Sequence, residues 1–175
     1  MMRPTRRQLL LGLALLPATA LWGPSVLVTQ ASEGLETVPL VVHGERGPQR
    51  LTVEVARRNA ERSRGLMDRD RLAPDAGMLF LYDGPWPMRH GFWMYRTRIP
   101  LDIAFIDATG RILEIHRMTP CTAKSSSDCP ITRPAAPYRA ALEVNAGWFA
   151  AHGIVPGDCV SWPGDGGLCV DDGAG

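Results

Sequence analysis

The run LDIAFI, residues 101 to 106, carries a single carboxylate inside an otherwise apolar strand-like segment. On a strand, Leu101, Ile103 and Phe105 share one face, and Asp102, Ala104 and Ile106 share the other. Both faces are largely apolar, so Asp102 is expected to be buried. A buried carboxylate is costly unless it is paired or hydrogen-bonded. It needs an arginine, backbone N–H groups, or a catalytic task that uses a raised pKa. Arginine is plentiful: Arg57, Arg58, Arg62, Arg64, Arg69 and Arg71 fall within one stretch of fifteen residues, and Lys124 is the single lysine. Arg64 or Arg69 could pair with Asp102 in the planar, bidentate geometry that lysine lacks. Such a pair fits either a structural ion pair or a site for a carboxylate or phosphate ligand. As an acid or base, Asp102 would serve a hydrolase or lyase. A glycosidase-style pair would need a second buried acid beside it, and Glu143 in YRAALEV is the best placed.

The segment before this strand is dense in large side chains. Trp86, Phe92, Trp93 and Tyr95 could line an amphipathic pocket. Alternation sets Phe92, Met94 and Arg96 on one side and Trp93, Tyr95 and Thr97 on the other. One set would be core and the other a cleft wall. A different chemistry comes from sulfur and imidazole. Met94, His116 and Met118 follow a Met-x21-His-x-Met spacing that resembles the latter part of the copper motif of periplasmic copper chaperones. Thioether with imidazole suits Cu(I). The motif's upstream ligand is missing, because Asp83 stands there, and methionines in apolar strands are commonly core filler. No nucleophile elbow, phosphate loop, zinc-protease motif or dinucleotide fingerprint occurs. No cofactor is established from the residues.

These groups must be positioned by short strands. VPLVV (38–42) and LTVEV (51–55) read as strands around the turn cluster GERGPQ. Asn59 offers an N-cap to a helix over AERSR, which Gly65 ends. GMLFLY (77–82) reads as a buried strand. Residues 92–97 and 101–107 read as strands interrupted near Pro100. Residues 112–118 pair back as a hairpin, 138–144 and 159–162 are further strands, and 148–152 is a short helix. The pattern predicts one mainly β (α+β) domain, an antiparallel barrel-like or sandwich core with two short helices.

The first 31 of the 175 residues read as an export signal. A basic start (MMRPTRRQ), an apolar core (LLLGLALL) and small residues at Ala18, Ala20 and Ala31 follow in that order. Arg6-Arg7 in TRRQLL suits either a twin-arginine or an ordinary secretory signal. The apolar run is shorter than the ~18 residues of a membrane span. The signal takes Arg3, Arg6 and Arg7 from the 19 basic residues and nothing from the 18 acidic ones, so residues 32–175 carry a formal charge of −2. A near-neutral chain has no strong field to draw it onto nucleic acid or an anionic membrane. Four cysteines fit an oxidising compartment. The sequence-local pairing, Cys121 with Cys129 and Cys159 with Cys169, would contribute ~2.5 kcal/mol per bridge from chain entropy. A four-cysteine zinc site is the rival, although no C-x2-C pair exists. The Gly- and Asp-rich residues 163–175 read as a loose tail.

Taken in order, VEVARRNAERSRGLMDRDRLAPDAGMLF, FWMYRTRIPLDIAFIDATGRI and PYRAALEVNAGWFAAHGIVPGD resemble the family known as domain of unknown function 192. The resemblance covers about residues 50 to 160. It implies a compact, mainly β single domain, often exported, without an established activity. Its motif falls on Arg64, Gly65, Leu66, Met67, Arg69, Gly77, Met78, Phe80, Phe92, Trp93, Met94, Thr97, Pro100, Leu101 and Asp102. The family commonly has Asn-Thr where this chain has Arg96-Thr97, which puts ligand contact by that asparagine in doubt here. The sequence thus supports an exported domain, periplasmic or secreted, that binds a small polar or anionic ligand through Arg64, Met67, Arg69, Trp93, Met94, Thr97 and Asp102. A hydrolase or lyase acting on an envelope sugar or peptide, a Cu(I)-binding protein, and an assembly factor that holds an envelope protein partner are the alternatives.

Overall fold

The computed structural model describes residues 34–164. The segment read as an export signal, the tail from residue 165 and Cys169 lie outside them.

The chain forms β1 (Thr37–Gly44), β2 (Gly47–Ala56), α1 (Asn59–Arg64), β3 (Ala76–Trp86), β4 (Phe92–Trp93), β5 (Leu101–Ile106), β6 (Ile112–Met118), β7 (Ile131–Thr132), β8 (Tyr138–Asn145), α2 (Trp148–His152) and β9 (Cys159–Ser161). The fold is mainly β, as the sequence predicts. Alternation builds the first hairpin: Leu51, Val53 and Val55 are buried while Arg50 and Thr52 face water. Helix α1 starts one residue earlier than expected. Arg58 is its N-cap, Asn59 is already helical, and the Glu61 carboxylate accepts the N–H groups of Arg57 (2.9 Å) and Arg58 (2.7 Å).

Seven strands form one sheet in the order β6-β5-β8-β3-β2-β1-β9. All its pairs are antiparallel except β2 with β3, which run parallel from Thr52↔Ala76 to Ala56↔Phe80. A parallel neighbour needs a crossover, and α1 with the turn after it supplies one. The sheet curls until its edge strands meet at one end. Ile112 N–H donates to Asp158 O and Val160 N–H to Gly110 O, each at 2.8 Å.

The enclosed face carries Leu40, Val42, Val53, Leu79, Ile106, Leu142, Val160 and, from α2, Phe149. The opposite face of β3, β8 and β5 is apolar too, through Met78, Phe80, Ala141, Ile103 and Phe105. All six residues of β5 are therefore buried. A second layer covers this outer face: Leu66 after α1, Phe92 and Met94 from the segment after β3, and Met118. The predicted Cys121–Cys129 disulfide is present, with Cα atoms 5.8 Å apart. The cysteine loop grips the cover on both sides of the bridge. Cys121 bridges Tyr95, and Ile131 and Thr132 pair with Trp93 and Phe92. Cys159 is disulfide-bonded as well.

Gly77 sits where two strands approach closely against backbone. A Cβ there would lie 2.6 Å from the carbonyl oxygen of Glu143 and 3.1 Å from Val144 Cγ1. Backbone cannot yield cheaply, so Gly77→Ala is expected to destabilise the domain by about 1–3 kcal/mol in chemical denaturation. Wild-type stability in that variant would contradict the packing described.

Candidate functional site

The cover does not fill the space above the sheet. It leaves a cleft of about 230 Å³ whose lining includes Arg62, Arg64, Met67, Phe80, Tyr82, Trp86, His90, Phe92, Trp93, Thr97 and Glu143. Two walls come from the motif segments. Helix α1 and the turn Gly65-Leu66-Met67 form one; residues 91–97 form the other. Gly65 ends the helix with φ 49°, and its N–H donates to Glu61 O at 2.8 Å. A Cβ at Gly65 would lie 3.4 Å from Phe80 Cζ in the cleft floor.

The walls are joined by a clasp between Asp68 and Arg96. Both residues have left-handed backbone, with φ 63° and 56°. Asp68 N–H donates to Arg96 O at 2.8 Å. The Arg96 guanidinium returns two hydrogen bonds to the Asp68 carboxylate, at 2.6 and 3.1 Å. Asparagine tolerates this backbone better than most residues, so the asparagine that the resemblance puts at position 96 would suit the turn itself without invoking a ligand. Arg96 points its charge at Asp68 and is not among the cleft-lining side chains. The alternation expected over residues 92–97 therefore fails. Only Phe92 and Trp93 are strand, and the chain then turns so that Met94 and Thr97 are both buried.

Of the side chains singled out from sequence, the structure brings Arg64, Met67, Trp93 and Thr97 together around the cleft. Trp93 is 42% exposed and stands at its rim. Arg69 lies elsewhere, in a bidentate pair with Glu54 at 2.8 and 2.5 Å. Asp102 is buried as expected, but its partners are different from those expected. Arg117 Nε donates to one carboxylate oxygen, and Gly147 N–H donates to the other at 2.7 Å. The anticipated pairing with Arg64 or Arg69 is thus corrected: Arg117 stands directly opposite Asp102 in the β5–β6 hairpin. Met94 and Met118 are both core residues, 5% and 2% exposed. The third member of the Cu(I) set, His116, shares a hydrogen bond with Glu114 through Nε2 at 2.8 Å.

Glu143 is the residue whose environment stands out. It is 4% exposed on β8, between Met78 of β3 and Ile103 of β5. Its carboxyl group accepts no hydrogen bond and forms no ion pair among the described residues, and it faces the cleft. Burial pushes its pKa up to about 8, so the protonated form predominates at pH 7. Asp102 shares its face with Ala104 and Ile106 of the enclosed core, whereas Glu143 belongs to the outer face. The sheet separates the two acids, so the carboxylate pair considered from sequence does not form.

The remaining lining is aromatic. Tyr82 stacks on Trp86 (centroids 4.7 Å, planes 21° apart), and Trp86 lies 5.0 Å from the His90 ring. Phe80 meets Phe92 edge-on at 4.9 Å. Burial also raises the pKa of Tyr82 and of Tyr138, whose hydroxyl donates to His90 O at 3.2 Å. Arg62, Tyr82 and His90 were not foreseen as site residues. Of the three, only Tyr82 carried a signal, as the end of the apolar run GMLFLY; Arg62 and His90 carried none.

The unfolded chain releases the Glu143 proton near the ordinary 4.5, while the folded chain holds it to about 8. Stability therefore falls as pH rises through that window. Glu143→Gln is expected to remove this slope and to gain on the wild type between pH 4.5 and 8, by on the order of 4–5 kcal/mol at the upper end. Thermal unfolding across that range checks it; a wild-type/variant difference independent of pH would contradict the burial of an unpaired acid.

The model of the family domain of unknown function 192, described as Uncharacterized ACR, matches residues 41–162. No curated protein matches the chain. Among solved structures, the chain is similar to a protein of unknown function from Novosphingobium aromaticivorans DSM 12444. The two are 39% identical with a TM-score of 0.67, over 75% of this chain and 89% of that one. It is also similar to a candidate transcription regulator from Sinorhizobium meliloti 1021, at 32% identity and a TM-score of 0.67, over 75% of this chain and 98% of that one. The chain belongs to the uncharacterised family of domain of unknown function 192.

Proposed function

We propose that the protein is an exported domain that binds a small ligand in the cleft between the outer face of the sheet and its cover. The observation that carries this reading is Glu143. A carboxyl group buried without a partner is costly, and here it faces a cavity walled by flat aromatic rings. A bound molecule would supply the missing hydrogen bond. Arg64 at the mouth is exposed, and its guanidinium has no hydrogen bond or ion pair among the described residues, which suits a polar or anionic ligand. Export is supported by the basic, apolar and small-residue order of the first 31 residues and by the Cys121–Cys129 disulfide. Among the described residues, no helix is long and apolar enough to cross a membrane. An acid–base role for Asp102 gains no support from its position, since both of its oxygens are engaged on the far face of the sheet.

Native mass spectrometry of the protein recovered with its own signal, before and after exposure to a small-molecule extract of its host, tests the reading. A non-covalent adduct of small mass is expected. It should be lost in Ser63→Trp, which places an indole at an exposed position of the cleft lining. A protein that stays bare, or an adduct that survives Ser63→Trp unchanged, would contradict the site.

A further inference from the structure

Resting on that reading, the groups around the cleft narrow the chemistry of what it holds. Two guanidiniums line it, and one is already engaged. Arg62 lies 4.8 Å over the Tyr82 ring and donates to Leu81 O at 2.9 Å, to Arg57 O and to Asn59 Oδ1. Arg64 keeps its planar fork of donors for an incoming anion. Among the described residues, no carboxylate other than Glu143 lines the cleft, so none of them opposes negative charge at the mouth. Deeper in, Trp86 and Phe92 offer flat apolar surface, and Trp93 adds more at the rim. At the inner end, a protonated carboxyl is a hydrogen-bond donor that lacks an acceptor. The volume, about 230 Å³, lies below the ~300–1,000 Å³ of drug-sized sites and suits a single ring.

We infer that the cleft takes a small aromatic or otherwise planar carboxylate. Arg64 holds its anionic group at the mouth, Trp86 and Phe92 flank its ring, and Glu143 donates a hydrogen bond to an acceptor atom at its inner end. The arrangement discriminates against amines. An ammonium would sit beside Arg62 and Arg64, and it would need the ionised form of Glu143 that burial disfavours.

The charge state of Glu143 makes binding depend on pH. The charged and titratable side chains around it are Tyr82 from β3, Tyr138 on its own strand, Arg62 and Arg64 from α1, and His90 from the loop after β3. Beside it, β5 presents Ile103 and Phe105; one strand further, Glu114 and His116 bind each other. Imidazoles change charge mainly below pH 8, and both tyrosine hydroxyls are pushed upward. The window from pH 7.5 to 9 therefore reports Glu143.

Isothermal titration of the mature protein with three probes tests the inference. Isonicotinate carries a carboxylate and, opposite it, a ring nitrogen acceptor. Benzoate has the same shape without the acceptor, and benzylamine reverses the charge. Isonicotinate is expected to bind at least about tenfold tighter than benzoate at pH 7.5. Its affinity should fall toward pH 9, approaching tenfold per unit once Glu143 ionises. Arg64→Ala should weaken it about tenfold or more. Glu143→Gln, whose amide N–H can donate in place of the carboxyl, should abolish the fall with pH. Preferential binding of benzylamine, strengthening with pH and lost in Glu143→Gln, would overturn the inference and make the inner acid a cation site. Failure of all three probes while the native adduct is present would overturn it and leave the ligand-binding reading standing. Failure of the probes together with a bare protein would remove both.

Discussion

Strands β3, β8 and β5 are apolar on both faces, and the architecture follows from the need to cover each one. Curling satisfies the first face, because the two edge strands come together around a shared core. The second face cannot be covered by the sheet itself. The chain covers it with irregular segments: the turn after α1, residues 86–99 and the disulfide-closed loop. Irregular cover has to be fixed point by point. The Asp68–Arg96 clasp fixes one wall to the other, and the pairing of Phe92 and Trp93 with Thr132 and Ile131 fixes the second wall to the cysteine loop. The cleft is the space that this cover spans without filling.

Two buried acids lie in the doubly covered strands, and the protein treats them differently. Asp102 points into the enclosed face beside Gly147, where a backbone N–H and the Arg117 guanidinium satisfy both oxygens. That is the ordinary solution for a buried carboxylate, and it ties β5, β6 and the start of α2 together. Glu143 points the other way and receives no such partner among the described residues. Losing its proton would leave an unpaired charge in an apolar layer, so the group stays neutral well above the usual carboxylate range. A structural need accounts for Asp102. Nothing in the packing of the described residues accounts for Glu143, and that is the ground on which a ligand site is proposed.

Much of the fold was legible because strands of period two announce themselves. The hairpin of β1 and β2, the apolar run of β3 and the alternation of β5 appear in the structure close to where the pattern puts them. The burial of Asp102 was legible for the same reason. Its partner was less so, because six arginines crowd residues 57–71 and draw attention as a group. The usable signal was the hairpin register around DATG, which sets Arg117 opposite Asp102. The parallel pairing of β2 and β3 was not legible, since a six-residue helix is a weak sign of a crossover. Neither was the turn after Trp93, where an arginine occupies left-handed backbone against its own preference and depends on Asp68 to hold it. Glu143 was within reach of the alternation argument applied to Asp102. Which face it occupies depends on strand neighbours 65 residues apart, Met78 and Glu143, and only the fold brings those together.

The protonation of Glu143 tests the account most directly. Selective ¹³C labelling of glutamate side-chain carboxyls, followed by NMR from pH 3 to 10, would give each group its own titration midpoint, with Glu143→Gln assigning the resonance. One carboxyl carbon is expected to titrate near 8, far above the others, and to vanish in the variant. A Glu143 resonance that titrates near 4.5 with the rest would mean that the carboxyl is solvated or paired, and the cleft would lose the group on which its chemistry depends.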